Sequence, residues 1–287
     1  MRETTQTTVC DGTAASIKAL HQVPRLRNAV RLFLLLLLYG GLAVLACRSG
    51  IGWGALAVLA MGLILAGLLN AAHDCVHLRL TGNRRVDAAI GQWLCAPLLI
   101  NFPDFRQAHL RHHQHARGAA DTEWTGVFTS RQHYLRYLFL GNPLRGQWRV
   151  WRMFGPPARE GDGVVRSTHV LLLALLAMAP AELLLCWAAP YVIGHVFIRF
   201  FSLPEHYGLV EQADVGSMTR SVRSVALVRF LLWEASFHAE HHRWPGVPSL
   251  NLPALHALKA MALPHLYPGY LRFHHELYLS LPQRSKR

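Results

Sequence analysis

Residues 51–77 read IGWGALAVLAMGLILAGLLNAAHDCVH. From Ile51 to Ala72 the run carries no charge, and it is close to the ~20 residues that a helix needs to cross a hydrocarbon core. His73 and His77 follow without a break. Four residues apart, they lie on one helix face. A span that continues straight into a histidine pair predicts a helix that leaves the membrane carrying metal-binding side chains.

Working outward, Val30 to Ala46 is almost wholly apolar, and only Cys47-Arg-Ser-Gly50 separates it from Ile51. The two runs predict a tight helical hairpin. A second hairpin is expected from His169 to Ala188, a turn at Ala189-Pro190, and Tyr191 to about Leu203. The first run begins after a polar stretch and is followed at once by another span, so it is not a signal peptide. Four spans leave both termini on the side that also holds the Arg-rich stretch Arg79 to Arg166, and the positive-inside rule makes that side cytoplasmic. Val86 to Phe102 is apolar but contains Asp87, Gln92 and Trp93, which suits a helix buried at the interface or dipping into the membrane. Residues 1–287 read as one domain, with mobile ends at Met1 to Val23 and Gln283 to Arg287.

Composition agrees. The 287 residues are 52% hydrophobic and 16% charged, with mean hydropathy +0.20. Charge is well below the usual quarter. The net charge of +13 has no nucleic-acid motif beside it, so it fits a basic cytoplasmic face, which could also dock an acidic redox partner. The five cysteines form no CxxC pair and argue against a disulfide framework or thiolate metal site. Cys75 reads as a packing residue.

Two further clusters match the first: His109-Leu-Arg-His112-His113 and His238-Ala-Glu-His241-His242. His206 joins them from the end of the fourth run. All nine fall on one side of the membrane. That is more than one tetrahedral zinc requires and enough for two ions. Imidazole suits zinc, copper, iron and nickel alike, so the ligand type leaves the metal open. A zinc-dependent membrane hydrolase would need about three histidines, a water and an acid. A metal transporter would place ligands inside the spans.

The motifs resemble the membrane fatty acid desaturase and hydroxylase superfamily, the non-haem di-iron enzymes with three histidine boxes. Phe237-His-Ala-Glu-His-His-Arg-Trp-Pro-Gly-Val-Pro248, followed by Asn251-Leu-Pro and His256, is similar to bacterial members. So are Phe105-Arg-Gln-Ala-His109 with His112, His113 and Asp121, and the segment Pro204-Glu-His-Tyr-Gly208. The resemblance covers about residues 30 to 275. It implies an all-α integral membrane protein with four transmembrane helices in two hairpins and a cytoplasmic helical cap. It implies two iron ions, with O2 as co-substrate, in a bacterial cytoplasmic membrane. His73, His77, His109, His112, His113, His206, His238, His241 and His242 take the place of the metal ligands. Some desaturases hold one iron through a water on an Asn four residues before the extra histidine. Here that residue is Ser202, and Asn70, one turn before His73, is a possible substitute.

Asp74, Asp121, Glu205 and Glu240 are candidates to orient imidazoles through their second N–H. His195 and Arg199 share a face of the fourth run with Ser202 and His206. Ionisable groups in a span usually face a cavity, so these two are substrate-path candidates, against snorkelling of Arg199 to the interface. His21, His115, His133, His169, His265, His274 and His275 read as interfacial or surface residues, and Trp93, Trp124 and Trp233 as interface anchors. No cytochrome b5 haem motif is visible, so a separate ferredoxin or reductase is expected to supply electrons. The substrate class spans fatty acyl chains, carotenoids and small metabolites. Desaturation leads, with hydroxylation or ketolation as the alternative.

Overall fold

The computed structural model describes residues 15–116, 120–123, 126–141, 162–209, 218–258 and 265–283. Among these, three helices are long and apolar enough to cross a membrane. They are α1 (Arg25–Arg48), α2 (Ile51–Val76) and, below, α7 (Pro180–His206). The helix α2 is central: 61% of its apolar window is buried, against 17% for α1 and 11% for α7. The outer faces of α1 and α7 therefore present Leu34, Leu37, Leu38, Leu184 and Val192 outward, where lipid is the natural neighbour. At 26 residues, α2 is about 39 Å long at 1.5 Å per residue. A hydrocarbon core of ~30 Å is thus overshot by its last turns, which carry His73.

Among the described residues four α-helices lie between α2 and α7, the first two of them packed against α2. They are α3 (Arg84–Cys95), α4 (Phe102–His115), α5 (Arg131–Leu140) and α6 (Asp162–Met178), followed by α7. After α7 come α8 (Ala226–Leu231), α9 (His238–Arg243), α10 (Leu252–Ala257) and α11 (Tyr270–Ser280). Helix starts follow local chemistry. The Asn83 side chain accepts from the Arg85 and Val86 amides, Asn101 from that of Asp104, and Ser130 from that of His133. Among the described residues the all-α expectation meets one exception. Ser221–Val222 (β1) and Leu266–Tyr267 (β2) form a short parallel pair.

Close approach to α2 requires small residues. A Cβ on Gly67 would overlap the Leu231 carbonyl oxygen, and one on Gly62 would lie 2.5 Å from Ile193 Cγ2. The turn after α8 is held from two sides. Trp233 and Glu234 have φ of 58° and 61°, a region costly for residues with a Cβ. The Trp233 indole donates to Asp74 Oδ2 at 2.9 Å, and Glu234 accepts from Arg31 of α1 at 3.2 Å. Trp233 is wholly buried, so it is no interface anchor. Its N–H needs a buried acceptor, and Asp74 supplies it. Trp93 is exposed, and Trp124 lies outside the described residues.

The second apolar pair turns ten residues earlier than expected. The break falls at Ala179-Pro180, where Ala179 has φ −146° and ψ 62°, and Ala189-Pro190 lies inside α7. Proline removes an N–H, which orphans the carbonyl of residue 186 four positions back. Here a π-turn spans Leu184–Ala188, and the Tyr39 hydroxyl of α1 donates to the Cys186 carbonyl at 2.7 Å. A neighbouring helix thus satisfies the freed group, and the chain need not turn. Residues 15–23, read as tail, include Ile17 and Leu20 packed against Phe237, Leu252 and Leu255. The Asn251 amide donates to the carbonyls of Leu20 and Gln22.

Gly67→Ala is expected to destabilise the protein by roughly 1–3 kcal/mol, as overpacking does. Gly40→Ala, whose Cβ meets nothing within 4 Å, should leave stability unchanged or slightly raised. Thermal unfolding of both variants in detergent checks this.

Candidate metal centre

Four elements converge at the end of α2. His73 is in its last turn and His77 caps it. His109, His112 and His113 lie on α4, His206 ends α7, and His238, His241 and His242 lie on α9. The nine imidazoles fall into two groups: His73, His77, His109, His113 and His241, and His112, His206, His238 and His242. Within each group the potential ligand atoms all lie within 4.8 Å of one another.

The outer partners decide which nitrogen faces inward. His109 Nδ1 lies 2.9 Å from Glu123 Oε1, and His112 Nδ1 lies 2.8 Å from Asp121 Oδ1. His206 Nδ1 lies 2.9 Å from the Met218 carbonyl oxygen. These oxygens only accept, so each Nδ1 carries the proton and each neutral ring turns an Nε2 lone pair inward. His112 Nε2 and His206 Nε2 then face each other at 3.1 Å. His73 and His113 place their Nε2 atoms 2.8 Å from that of His109. His241 Nε2 is 3.0 Å from His113 Nε2, and His238 Nε2 is 2.9 Å from His206 Nε2. Among the described residues, His77 Nε2 and both ring nitrogens of His242 are buried with no hydrogen-bond partner. Inward lone pairs and orphaned ring nitrogens repel or go unsatisfied as a bare protein site, and a cation in each group resolves both.

The electrostatics favour the ligand form. Burial, then the neighbouring imidazoles, holds His77, His109, His238, His241 and His242 well below the ordinary histidine range, and His113 falls to about 3. Neutral imidazole is the form that binds metal. His112 goes the other way. Burial is the largest influence and lowers it, but Glu123 and Asp121 together outweigh burial and raise it.

The acids are placed by a turn clamped on α4. The Thr122 hydroxyl donates to the Ala108 carbonyl at 2.5 Å, and Arg111 Nε donates to that of Ala120 at 3.2 Å. This brings Asp121 and Glu123 under His112 and His109. Sequence reasoning passed over Glu123. Its signal was position: it lies two residues after Asp121, and the Asp121 carboxylate accepts from its backbone N–H. The end of α7 is clasped in a similar way. Arg220 donates to the Pro204 and Tyr207 carbonyls, beside the Met218 oxygen that orients His206.

Other expected residues lie further out. Glu240 is fully buried, but it binds the Ser221 hydroxyl and His256 Nδ1 and touches no imidazole of either group. Asp74 accepts from Trp233 and Ser249. Glu205 Oε2 stands 3.6 Å from His238 Nδ1. Asn70 Nδ2 donates to the Leu232 carbonyl at 3.1 Å. Ser202 lines a cavity of about 100 Å³ with His112, His206, Glu123, Glu205 and Tyr137. His195 is buried against the Tyr191 ring. Arg199 Nε donates to the Leu138 carbonyl at the end of α5. His274, read as a surface residue, is buried. Its Nε2 donates to the Phe200 carbonyl and its Nδ1 accepts from the Tyr134 hydroxyl.

This arrangement defines a mostly helical protein with three helices long and apolar enough to cross a membrane and, at the end of α2, two histidine groups that could each hold a metal ion. The family model for fatty acid desaturases matches residues 49–274. The chain is 22% identical to an endoplasmic-reticulum omega-3 fatty acid desaturase of Vigna radiata var. radiata, over 67% of this chain and 61% of that protein. It is 24% identical to a chloroplastic sn-2 acyl-lipid omega-3 desaturase (ferredoxin) of Helianthus annuus, over 67% and 52%. With an acyl-lipid (9+3)-(E)-desaturase of Dimorphotheca sinuata the identity is 23%, over 71% and 65%. The chain belongs to the fatty acid desaturase family. Its matches span about half to two-thirds of these relatives' length.

His77→Ala and His206→Ala, one from each group, are each expected to lower bound metal by about half, measured by elemental analysis of purified protein. Asp121→Asn and Glu123→Gln should leave the fold intact and weaken metal retention by ~10–100-fold, as loss of an imidazole's outer partner does. A chelator titration reads that change.

Proposed function

We propose that this protein is a membrane-bound di-iron oxidoreductase that uses O2 to desaturate an unactivated alkyl chain, a fatty acyl group or related lipid. The observation that carries the reading is the pinned Nδ1 set. Outward hydrogen bonds turn the Nε2 atoms of His109, His112 and His206 inward, beside the other histidines of two groups. In this reading His73, His77, His109, His113 and His241 hold one iron, and His112, His206, His238 and His242 hold the other. Iron bound there supplies oxidising power against a strong alkyl C–H bond, which side chains alone lack. The chain's own contribution is to keep most of the imidazoles neutral and to aim them. Asp121 and Glu123 hold the Nδ1 protons of His112 and His109. Glu205 stands ready to do the same for His238, and the Met218 carbonyl does it for His206.

Ser202 stands where, by the family resemblance, some desaturases carry a water-holding Asn, and it lines the polar cavity beside the four-imidazole group. That cavity is the proposed place for a small co-substrate. Asn70 stands one turn before His73 as the alternative support. His195 and Arg199 remain the proposed lining of the substrate path. His195 is buried and Arg199 half-buried on α7, which supports this, and the Leu138 contact of Arg199 limits it. Electrons come from a separate ferredoxin or reductase, in keeping with the ferredoxin in the name of the Helianthus annuus relative. The shorter apolar helix Gly163–Met178 is proposed as the fourth span, completing two hairpins. The histidine end and both termini then face the cytoplasm of a bacterial inner membrane.

Purified protein supplied with iron is expected to carry close to two irons per chain. Cells expressing it should accumulate a lipid lighter by two hydrogens than the parent, absent in a His241→Ala control. Mass spectrometry of extracted lipids reads this. A product heavier by one oxygen would make it a hydroxylase, and full activity with zinc alone would overturn the iron centre. For orientation, a membrane-impermeant maleimide should label Gly50→Cys and fail at Thr129→Cys in intact cells, on a background free of native cysteines.

A further inference from the structure

The end of the bundle away from the histidines carries a pair of thiols. Cys47 lies in the last turn of α1, and Cys186 lies in the π-turn of α7. Their sulfurs are 3.4 Å apart, although they stand 139 positions apart in the chain. Cys47 is exposed and Cys186 half-buried. The helices are locked together at this point. Tyr39 donates to the Cys186 carbonyl. Ala46, Leu42 and Ala43 of α1 pack in one cluster with Leu185, Ala189 and Ile193 of α7. The other two described cysteines, Cys75 and Cys95, are wholly buried beside the histidine half of α2.

We propose that Cys47 and Cys186 are an oxidation site that closes into a disulfide and staples α1 to α7. The sulfurs must approach by about 1.4 Å to reach the bonded distance of ~2.04 Å, a movement within reach of side-chain rotation. The oxidant is a disulfide, whether of a small molecule or of a thiol–disulfide oxidoreductase. The Cys47 thiolate attacks it, breaking the oxidant's S–S bond and releasing one of its thiols. The Cys186 thiolate then attacks the Cys47 sulfur of the mixed disulfide and displaces the second thiol. Two protein thiols lose two electrons and two protons, and one oxidant disulfide gains them. The closed loop contains α2 and the first two histidine clusters. A cross-link over so long a loop restricts the unfolded chain, and the contacts already made around Tyr39 let the native helices accept it.

The experiment uses the full chain in detergent, first reduced and then freed of reductant and exposed to oxidised glutathione. After denaturation and maleimide alkylation, peptide mass spectrometry should find a Cys47–Cys186 linkage. Free thiols should fall by two from the five in the sequence. The unfolding midpoint should rise above that of the reduced protein and of Cys47→Ser, with metal content unchanged. Cys186→Ser should yield only a glutathione adduct at Cys47. A glutathione adduct at Cys47 in the unmutated chain, with Cys186 still alkylated by maleimide, would overturn the proposal. So would a linked protein that unfolds at the midpoint of Cys47→Ser.

Discussion

Buried imidazole lone pairs that face one another need a cation between them, and this requirement organises the histidine end of the molecule. Their direction is imposed from outside each group. Glu123, Asp121 and the Met218 carbonyl hold the Nδ1 protons of His109, His112 and His206. Once those protons are fixed, the Nε2 atoms can only point inward. The Thr122 contact with the Ala108 carbonyl and the Arg220 clasp on the end of α7 therefore bear on the geometry of the histidine groups. Burial completes the arrangement by disfavouring the charged form of most of these rings.

Such a site needs a rigid base, and α2 provides it. Its glycines let other backbones approach where a side chain would keep them away. One of those approaches carries Leu231 and Leu232 to Gly67 and Asn70. From there the chain turns through two left-handed residues, which Asp74 and Arg31 hold, and continues to the third histidine cluster. Asp74 sits next to His73 in sequence yet bonds Trp233 and Ser249. Its contribution to the site is architectural: it fixes the C-terminal segment against the helix that begins the site. Glu240 does similar work on α9 through Ser221 and His256.

The bundle's other end shows how apolar helices tolerate a break in their own hydrogen bonding. Pro190 does not end α7, because a π-turn and a hydroxyl from α1 satisfy the carbonyl it orphans. That contact ties α1 to α7 at the residue whose sulfur meets that of Cys47.

Local chemistry made much of this legible before any coordinates. Apolar length located α1, α2 and the region of α7, and three- and four-residue spacing placed each histidine cluster on one helix face. Both signals are local, because a helix repeats every few residues and a bilayer sets a length. The division of nine imidazoles into groups of five and four was not legible, since His112 and His113 are adjacent in sequence yet belong to different groups. Nor was the choice among carboxylates. Asp74 and Glu240 lie inside the motifs and bond elsewhere, whereas Glu123 lies outside them and holds His109. The burial of Trp233 and His274 and the continuity of α7 through Pro190 likewise depend on partners distant in the chain. Sequence spacing determined which side chains share a face. Only the tertiary structure decided which faces meet and which donor finds which acceptor, because those hydrogen bonds join residues that nothing in the local sequence brings together.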